Sequence, residues 1–512
     1  MAILFVGSGV IGLYPRYPGN KWIALVCSGI SCIILLCRIP AVDVVEYPVN
    51  IWMNPLTLHI FIDGFSLFFG AIFSFLFVMV IVYSSYTKKR YYPLLLLNLG
   101  VLLLTVFSKQ VLAFYVFLEI STIITYFLII HKETKESIQA GFKYVVMNVG
   151  GAVLILLAVL DYTSQTAPVF FVTGCLVKAG SFPVHVWLAD AHPAAPSPVS
   201  ALLSGIMVKT GVYGLFRFAP YFNIDLSLVV PFALASMIFG VFLALIQSDV
   251  KRILAYHTVS QVGFILLGIG LQSELGVSGG LLHLINHGVF KALLFLCMGC
   301  VIHATGKRDI HHLGGLQSKM PITAAACLVG CLSISGIPLF NGFVSKTLLF
   351  HALDSGAFKV IFVITCAGTV ASFIKLFKHT FLGELKVSAK NVSVSMKIPL
   401  LVLSGLCIFL GIFPQAALSL TGYTSSVWSI SALSECFLPV SLGIVIYVVG
   451  LKTRIILEPI HTRITIDTFF HKSGRAIEYS SKMFSKMLTQ DTNYYVMYMI
   501  LLFVLFFFLL NT

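Results

Sequence analysis

Apolar windows of about 17 to 25 residues, the length a helix needs to cross a bilayer, recur from one end of this 512-residue chain to the other. They fall at 1–14, 21–38, 57–84, 91–108, 110–130, 138–160, 167–190, 197–219, 225–247, 254–272, 278–302, 320–353, 358–384, 397–418, 434–451 and 494–511. Only 10% of residues are charged, against roughly a quarter in a soluble domain. The expected fold class is therefore an all-α polytopic membrane protein of about 14 to 16 transmembrane helices. Two windows are interrupted. Residues 167–190 contain Pro183, and 320–353 contain Gly336, Pro338 and Gly342. Each reads as a broken helix, and broken backbone at membrane depth is tolerated only where protein or water satisfies it.

Loop charge sets the expected orientation. Basic residues follow the odd-numbered spans (Lys88, Lys89 and Arg90; Lys132 and Lys135; Lys251 and Arg252; Lys307 and Arg308), whereas Asp43, Glu46, Asp161, Asp225 and Glu274 follow the even-numbered ones. The expected location is the cell membrane of a prokaryote, and the positive-inside rule then puts both termini outside. It also accounts for the +14 net charge without nucleic acid as a partner. The run Met1–Leu13 lacks a basic flank and a cleavage site, so it reads as a first helix rather than a signal peptide. Most of the eleven cysteines lie inside apolar spans, where free cysteine packs as a small hydrophobe. Cys297 and Cys300 have CxxC spacing without a second pair, and no haem, P-loop or dinucleotide motif occurs. No metal and no cofactor is expected.

Ionisable residues at membrane depth are costly and mark function by default. Glu119 is the one charge in its span, close to the midplane, and suits an acidic partner for Lys178, which precedes the Pro183 break. Lys209 lies near the middle of the next span. His283, His287 and Lys291, four residues apart, share a helical face and suit a proton wire. Lys346 closes the second break, and Lys375 sits deep in the following span. His185, Asp190 and His192 read equally as loop anchors or as a relay or gate. Asp63, near the outer end of its span, reads first as structural.

The two breaks align with an internal repeat. Spans four to eight and nine to thirteen each hold five helices, with the fourth broken and a lysine in the fifth. An odd number of crossings forces the second copy to run in the opposite sense, an arrangement found in transporters. The expected organisation is N-terminal helices at 1–90, a first five-helix repeat at 91–219 as the proton-inlet half, and a second at 220–384 as the outlet half. C-terminal helices at 385–451, an amphipathic surface segment at 452–493 and a last helix at 494–512 follow.

The runs KAGSFPVHVWLADAHPAAPSPVSALLSGIMVKTGVYGLFR (178–217), DVKRILAYHTVSQVG (249–263), HGVFKALLFL (287–296) and GIPLFNGFVSK (336–346) carry a resemblance. They resemble the antiporter-like proton-translocating subunits of respiratory complex I. More closely, they resemble the Mrp-type cation/proton antiporter D subunit with its membrane-bound hydrogenase relatives, over about residues 57 to 420. The resemblance implies that Glu119 is an essential glutamate, Lys178 its partner, Lys209 the central lysine and Lys346 the terminal ionisable group. It implies that Lys375 belongs to the Mrp branch and that His283 and His287 link two half-channels. Implied partners are other membrane subunits, the lipid bilayer and a peripheral redox module with iron–sulfur clusters. The chain would then serve a translocating oxidoreductase or an antiporter. The alternatives are a self-sufficient solute transporter and a non-conducting scaffold subunit.

Overall fold

The computed structural model describes residues 1–14, 19–38, 44–50, 57–84, 91–419 and 427–452. The chain divides into two units, Met1–Pro459 and Ile460–Thr512, and every described residue belongs to the first. The amphipathic segment at 452–493, apart from Lys452, and the last span at 494–511 lie outside the described residues.

The described residues of the first unit form twenty α-helices and one hairpin. The order is α1 (Ala2–Leu13), α2 (Asn20–Arg38), β1 (Val45–Asn50), β2 (Thr57–Ile62), α3 (Gly64–Tyr83), α4 (Tyr91–Phe107), α5 (Val111–Ile129), α6 (Lys135–Leu160), α7 (Ala167–Ala179) and α8 (Val186–Ala194). It continues through α9 (Ser197–Leu202), α10 (Val208–Phe218), α11 (Val230–Leu245), α12 (Val250–Gly270), α13 (Glu274–Thr305), α14 (Pro321–Ser335) and α15 (Asn341–His351). It ends with α16 (Gly356–Phe381), α17 (Val394–Ile412), α18 (Gln415–Leu418), α19 (Ile430–Glu435) and α20 (Phe437–Lys452). Among the described residues, 11 helical stretches are long and apolar enough to cross a membrane, and α1, α4, α7 and α14 are shorter apolar helices. The chain is a multi-pass membrane protein.

Both expected breaks are present. α7 ends at Gly180, in left-handed geometry (φ 65°), and α8 restarts at Val186. α14 ends at Gly336 (φ 78°), and α15 restarts at Asn341. α4 to α10 and α11 to α16 thus form two sets of five membrane elements, each with its fourth element broken.

One expected boundary is different. The window at 57–84 does not form one helix, because residues 57–62 pair as β2 with β1 in antiparallel register, Glu46 opposite Phe61. The pattern Thr-Leu-His-Ile-Phe-Ile is rich in β-branched and aromatic residues and fits a half-covered strand. Asp63 then starts α3 with a capping box: its side chain accepts from Ser66 N at 2.9 Å and its own N–H donates to Ser66 Oγ at 3.0 Å. The 20 residues left in α3 still span about 30 Å. Thr134 caps α6 in the same way through Ser137, and Asp249 caps α12 by accepting from the backbone of Lys251 and Arg252. Each cap satisfies backbone N–H groups that the first turn of a helix leaves without intrahelical partners.

Burial orders the helices. The apolar window of α12 is 100% buried, that of α9–α10 94% and that of α13 83%, whereas α6 is 33% and α20 17% buried. Nearly all the midplane ionisable groups lie on or against the enclosed helices.

Candidate functional site: a buried row of basic side chains

At one end of the row, the Lys178 ammonium donates to Glu119 and to Thr122 Oγ1, the latter at 2.7 Å. Thr122 stands one turn beyond Glu119 on α5 and also donates to its carboxylate at 3.3 Å. Lys178 is 3% exposed, Glu119 17%. Among the described residues this is the ion pair formed by the candidate row; the other ion pairs involve none of Lys178, Lys209, Lys291, Lys346 or Lys375.

The break just after Lys178 is closed by protein groups. The N–H groups of Gly180 and Ser181 donate to Val177 O and Leu176 O, and Trp187 Nε1 also donates to Val177 O at 3.0 Å. Ser181 Oγ meets Ser236 Oγ of α11 at 2.8 Å. Pro183 therefore redirects the chain within a turn whose Gly180 and Ser181 N–H groups are satisfied by protein.

The other deep lysines are held on carbonyl oxygens. Lys209 donates to Ser204 O at 2.5 Å, inside the π-helical turn Leu203–Met207 that separates α9 from α10. Lys291 donates to Leu254 O at 2.6 Å and Lys346 to Ile334 O at 2.6 Å. Lys375 donates to Leu245 O at 2.5 Å and Gln247 O at 2.6 Å. Ile334, Leu245 and Gln247 lie at helix C-terminal ends, where carbonyls lack intrahelical partners and carry the negative end of the helix dipole. A helix end or a widened turn thus receives the ammonium groups of Lys209, Lys346 and Lys375, whereas Lys291 rests on a carbonyl inside α12.

Histidines and neutral polar side chains link these points. Lys209 Nζ lies 2.8 Å from His287 Nδ1. The His287 and His283 rings stack with centroids 6.4 Å apart. His283 reaches Ser345 Oγ at 2.9 Å and Gln261 Oε1 at 3.1 Å, and Ser345 precedes Lys346 in α15. The contacts thus form two groups, Glu119–Lys178 and Lys209–His287–His283–Ser345, the latter ending beside Lys346. Lys291 lies to one side, over the Phe295 ring at 5.9 Å, and Lys375 stands against the end of α11.

The break residues act by close approach. A Cβ at Gly336 would stand 2.9 Å from Lys346 Cδ, and one at Gly342 only 1.8 Å from Ser333 O. Pro338 lies in the connection between them. Of the remaining candidates, Asp190 is an anchor: it receives Lys143 at 2.7 Å and Arg252 at 3.1 Å, tying α8 to α6 and α12. His185 is buried between the Phe182 and Tyr256 rings, and His192 faces the Phe295 ring at 5.0 Å. Both are packed among aromatic rings. Asp63 is structural, paired with Arg217 at 2.6 Å.

Sequence reasoning passed over Thr122, Ser204, Gln261 and Ser345, and also His257, buried on α12 with its ring 4.6 Å from that of Phe373. Thr122 was legible as the i+3 neighbour of Glu119. Lys251, read as a loop charge, is 1% exposed and donates to Ala195 O at 2.8 Å, because α12 begins one residue before it.

Comparison with known proteins identifies the family. The profile described as NADH:quinone oxidoreductase/Mrp antiporter, TM, matches residues 108–167 and 161–375. Hydrogenase-4 component B of Escherichia coli is 33% identical over 414 residues, covering 68% of this chain and 62% of that protein. The A subunit of the Na(+)/H(+) antiporter of Alkalihalophilus pseudofirmus is 32% identical over 442 residues, covering 73% of this chain and 54% of its own length. The chain thus spans a little over half the length of these curated relatives, and the Mrp relative is an A subunit, whereas the motifs suggest a D subunit. A chain of the Mrp complex from a Dietzia species has the same fold, with TM-score 0.78 and 24% identity over 87% of this chain and 98% of that one. The chain belongs to the NADH:quinone oxidoreductase/Mrp antiporter family of membrane proteins.

Proposed function

We propose that this chain is an antiporter-like subunit that moves protons along its buried Glu/Lys/His row, within a multisubunit ion-pumping complex. The observation that carries the reading is the joining of Glu119, Lys178 and Thr122 at one end of a row whose middle is the direct Lys209–His287 contact. A lysine in low dielectric gives up its proton more readily than in water, and an adjacent carboxylate reverses that tendency. Changing the Glu119–Lys178 distance would therefore switch Lys178 between holding and releasing a proton. Histidine can accept at one ring nitrogen and donate from the other, which suits His287 and His283 to the step between Lys209 and Lys346.

Residues 91–219 serve as the inlet half and 220–384 as the outlet half. A row of ammonium groups repels sodium, so protons are the ion carried by this chain. In the cell membrane of a prokaryote, the positions of the basic loops support both termini outside. Relatives named as a component and a subunit support assembly with other membrane subunits, with or without a peripheral redox module.

The test uses inside-out vesicles carrying the whole complex, with ΔpH read from a quenched dye. Glu119→Ala and Lys178→Ala are expected to abolish ΔpH while the complex migrates normally on a native gel. Normal ΔpH in both variants would overturn the reading.

A further inference from the structure

A cavity of about 440 Å³ lies at the basic face of the molecule, where α5 ends, α9 and α12 begin and α13 ends. This is within the size range of small-molecule sites. Lys132, Lys251, Arg308, His131, His303 and Ser197 stand on its wall, and among the described residues no carboxylate lines it. The proton row does not use any of these groups.

The charges here are not balanced by protein. Lys132 Nζ and Lys251 Nζ both donate to the one carbonyl oxygen of Ala195, at 3.1 and 2.8 Å. The two ammonium groups therefore stand no farther apart than those two bonds laid end to end. Lys251 also reaches Ser200 Oγ at 3.2 Å and His192 O at 3.5 Å, all neutral acceptors. Glu136 and Asp249 act on this cluster, but both pair with Arg308, at 3.2 and 3.0 Å. Arg308 also donates to Pro193 O at 3.1 Å. Three cations thus face two acids, and both acids are turned to the arginine.

We infer that this cavity binds a phosphate-type oxyanion, with Lys132 as its outer clamp and Lys251 and Arg308 as its inner wall. A tetrahedral oxyanion offers several charged acceptors where the protein supplies one shared carbonyl, and charge-assisted bonds to it are about twice as strong as neutral ones. A cation would be repelled from the same wall. Two sources carry this chemistry: free phosphate, and the headgroup of an anionic lipid, which basic pockets between helices on this face recognise.

The test is binding by the full-length protein in nanodiscs, so it is independent of proton movement and can fail while the proposed function stands. Inorganic phosphate is titrated against matched chloride in phosphatidylcholine discs, and melting is compared with that in phosphatidylglycerol discs. A melting shift with phosphate in neutral discs identifies a soluble anion, and a shift confined to phosphatidylglycerol discs identifies a headgroup. In either case Lys132→Gln is expected to lose the shift and Lys132→Arg to keep it. Lys132 is exposed and its ammonium rests on the Ala195 carbonyl, so both variants should fold. No shift under either condition, or an equal shift in wild type and Lys132→Gln, would overturn the inference.

Discussion

Lys209 and His287, 78 residues apart in sequence, meet at 2.8 Å between Nζ and Nδ1 in a fully buried site. The contact joins the last helix of the first repeat to the long central helix α13 of the second. A proton held on either residue is therefore one hydrogen bond from the other half of the molecule. The contact also fixes how His287 is used, since Nδ1 is engaged while the buried Nε2 makes no hydrogen bond among the described residues.

His287→Phe removes that partner while filling the same space. Lys209 then retains Ser204 O alone, and loss of a hydrogen bond to a charged group costs about 1.5–3 kcal/mol. The expected outcome is a lower melting temperature together with loss of vesicle ΔpH. His287→Gln, which can still accept from Lys209, should recover most of the stability but not the ΔpH.

Thr122 positions Lys178 rather than carrying a proton. Thr122→Val keeps the shape and removes the hydroxyl contacts to Lys178, to Glu119 and to Leu118 O. The initial rate of ΔpH formation should fall about fivefold or more, as expected for about 1 kcal/mol or more of lost orientation. Thr122→Ser should restore it.

Gly336 is held at φ 78°, and a Cβ there would meet Lys346 Cδ at 2.9 Å. Gly336→Ala should cost about 1–2 kcal/mol from left-handed backbone alone. It also displaces Lys346 from Ile334 O, so ΔpH formation should drop further than the melting shift accounts for. Gly330→Ala, within the same helix, is a control for packing loss without contact to the lysine.

Asp63, which precedes the span Gly64–Tyr83, pairs with Arg217 at the end of α10. Burial pushes its carboxyl up, but the Arg217 guanidinium and the Ser66 bonds outweigh this and hold it below the ordinary aspartate range. A depressed native pKa contributes stability that is present above the unfolded pKa of about 3.9 and is lost as pH falls through the native value. Wild type should therefore melt above Asp63→Asn at neutral pH, and the gap should close as the pH falls below about 4. A gap that does not change with acid would contradict the assignment.

Much of this molecule can be read without coordinates, because hydropathy windows, prolines and misplaced charges are local properties. The apolar windows mark the membrane class, Pro183 and the Gly336–Gly342 stretch mark the breaks, and the depth of Glu119, Lys178, Lys209 and Lys346 marks them as unusual. The β1–β2 hairpin is not legible in this way, since Leu58, Ile60, Phe61 and Ile62 run on into the apolar window of α3, and pairing with β1 decides their state.

The pairing of Lys178 with Glu119 is legible, since Glu119 is the one charge in its span, but tertiary structure alone decides what the other deep lysines rest on. No count along the sequence shows that Lys346 finds the open carbonyl of Ile334. Nor does any count show that Asp190 is taken by Lys143 and Arg252, or that Lys132 and Lys251 converge on Ala195. The sequence by itself determined that costly charges lie in the membrane; the packing of the helices decided their partners. Burial penalises an ion according to its depth, which sequence encodes, whereas relief comes from atoms brought close by helices distant in sequence.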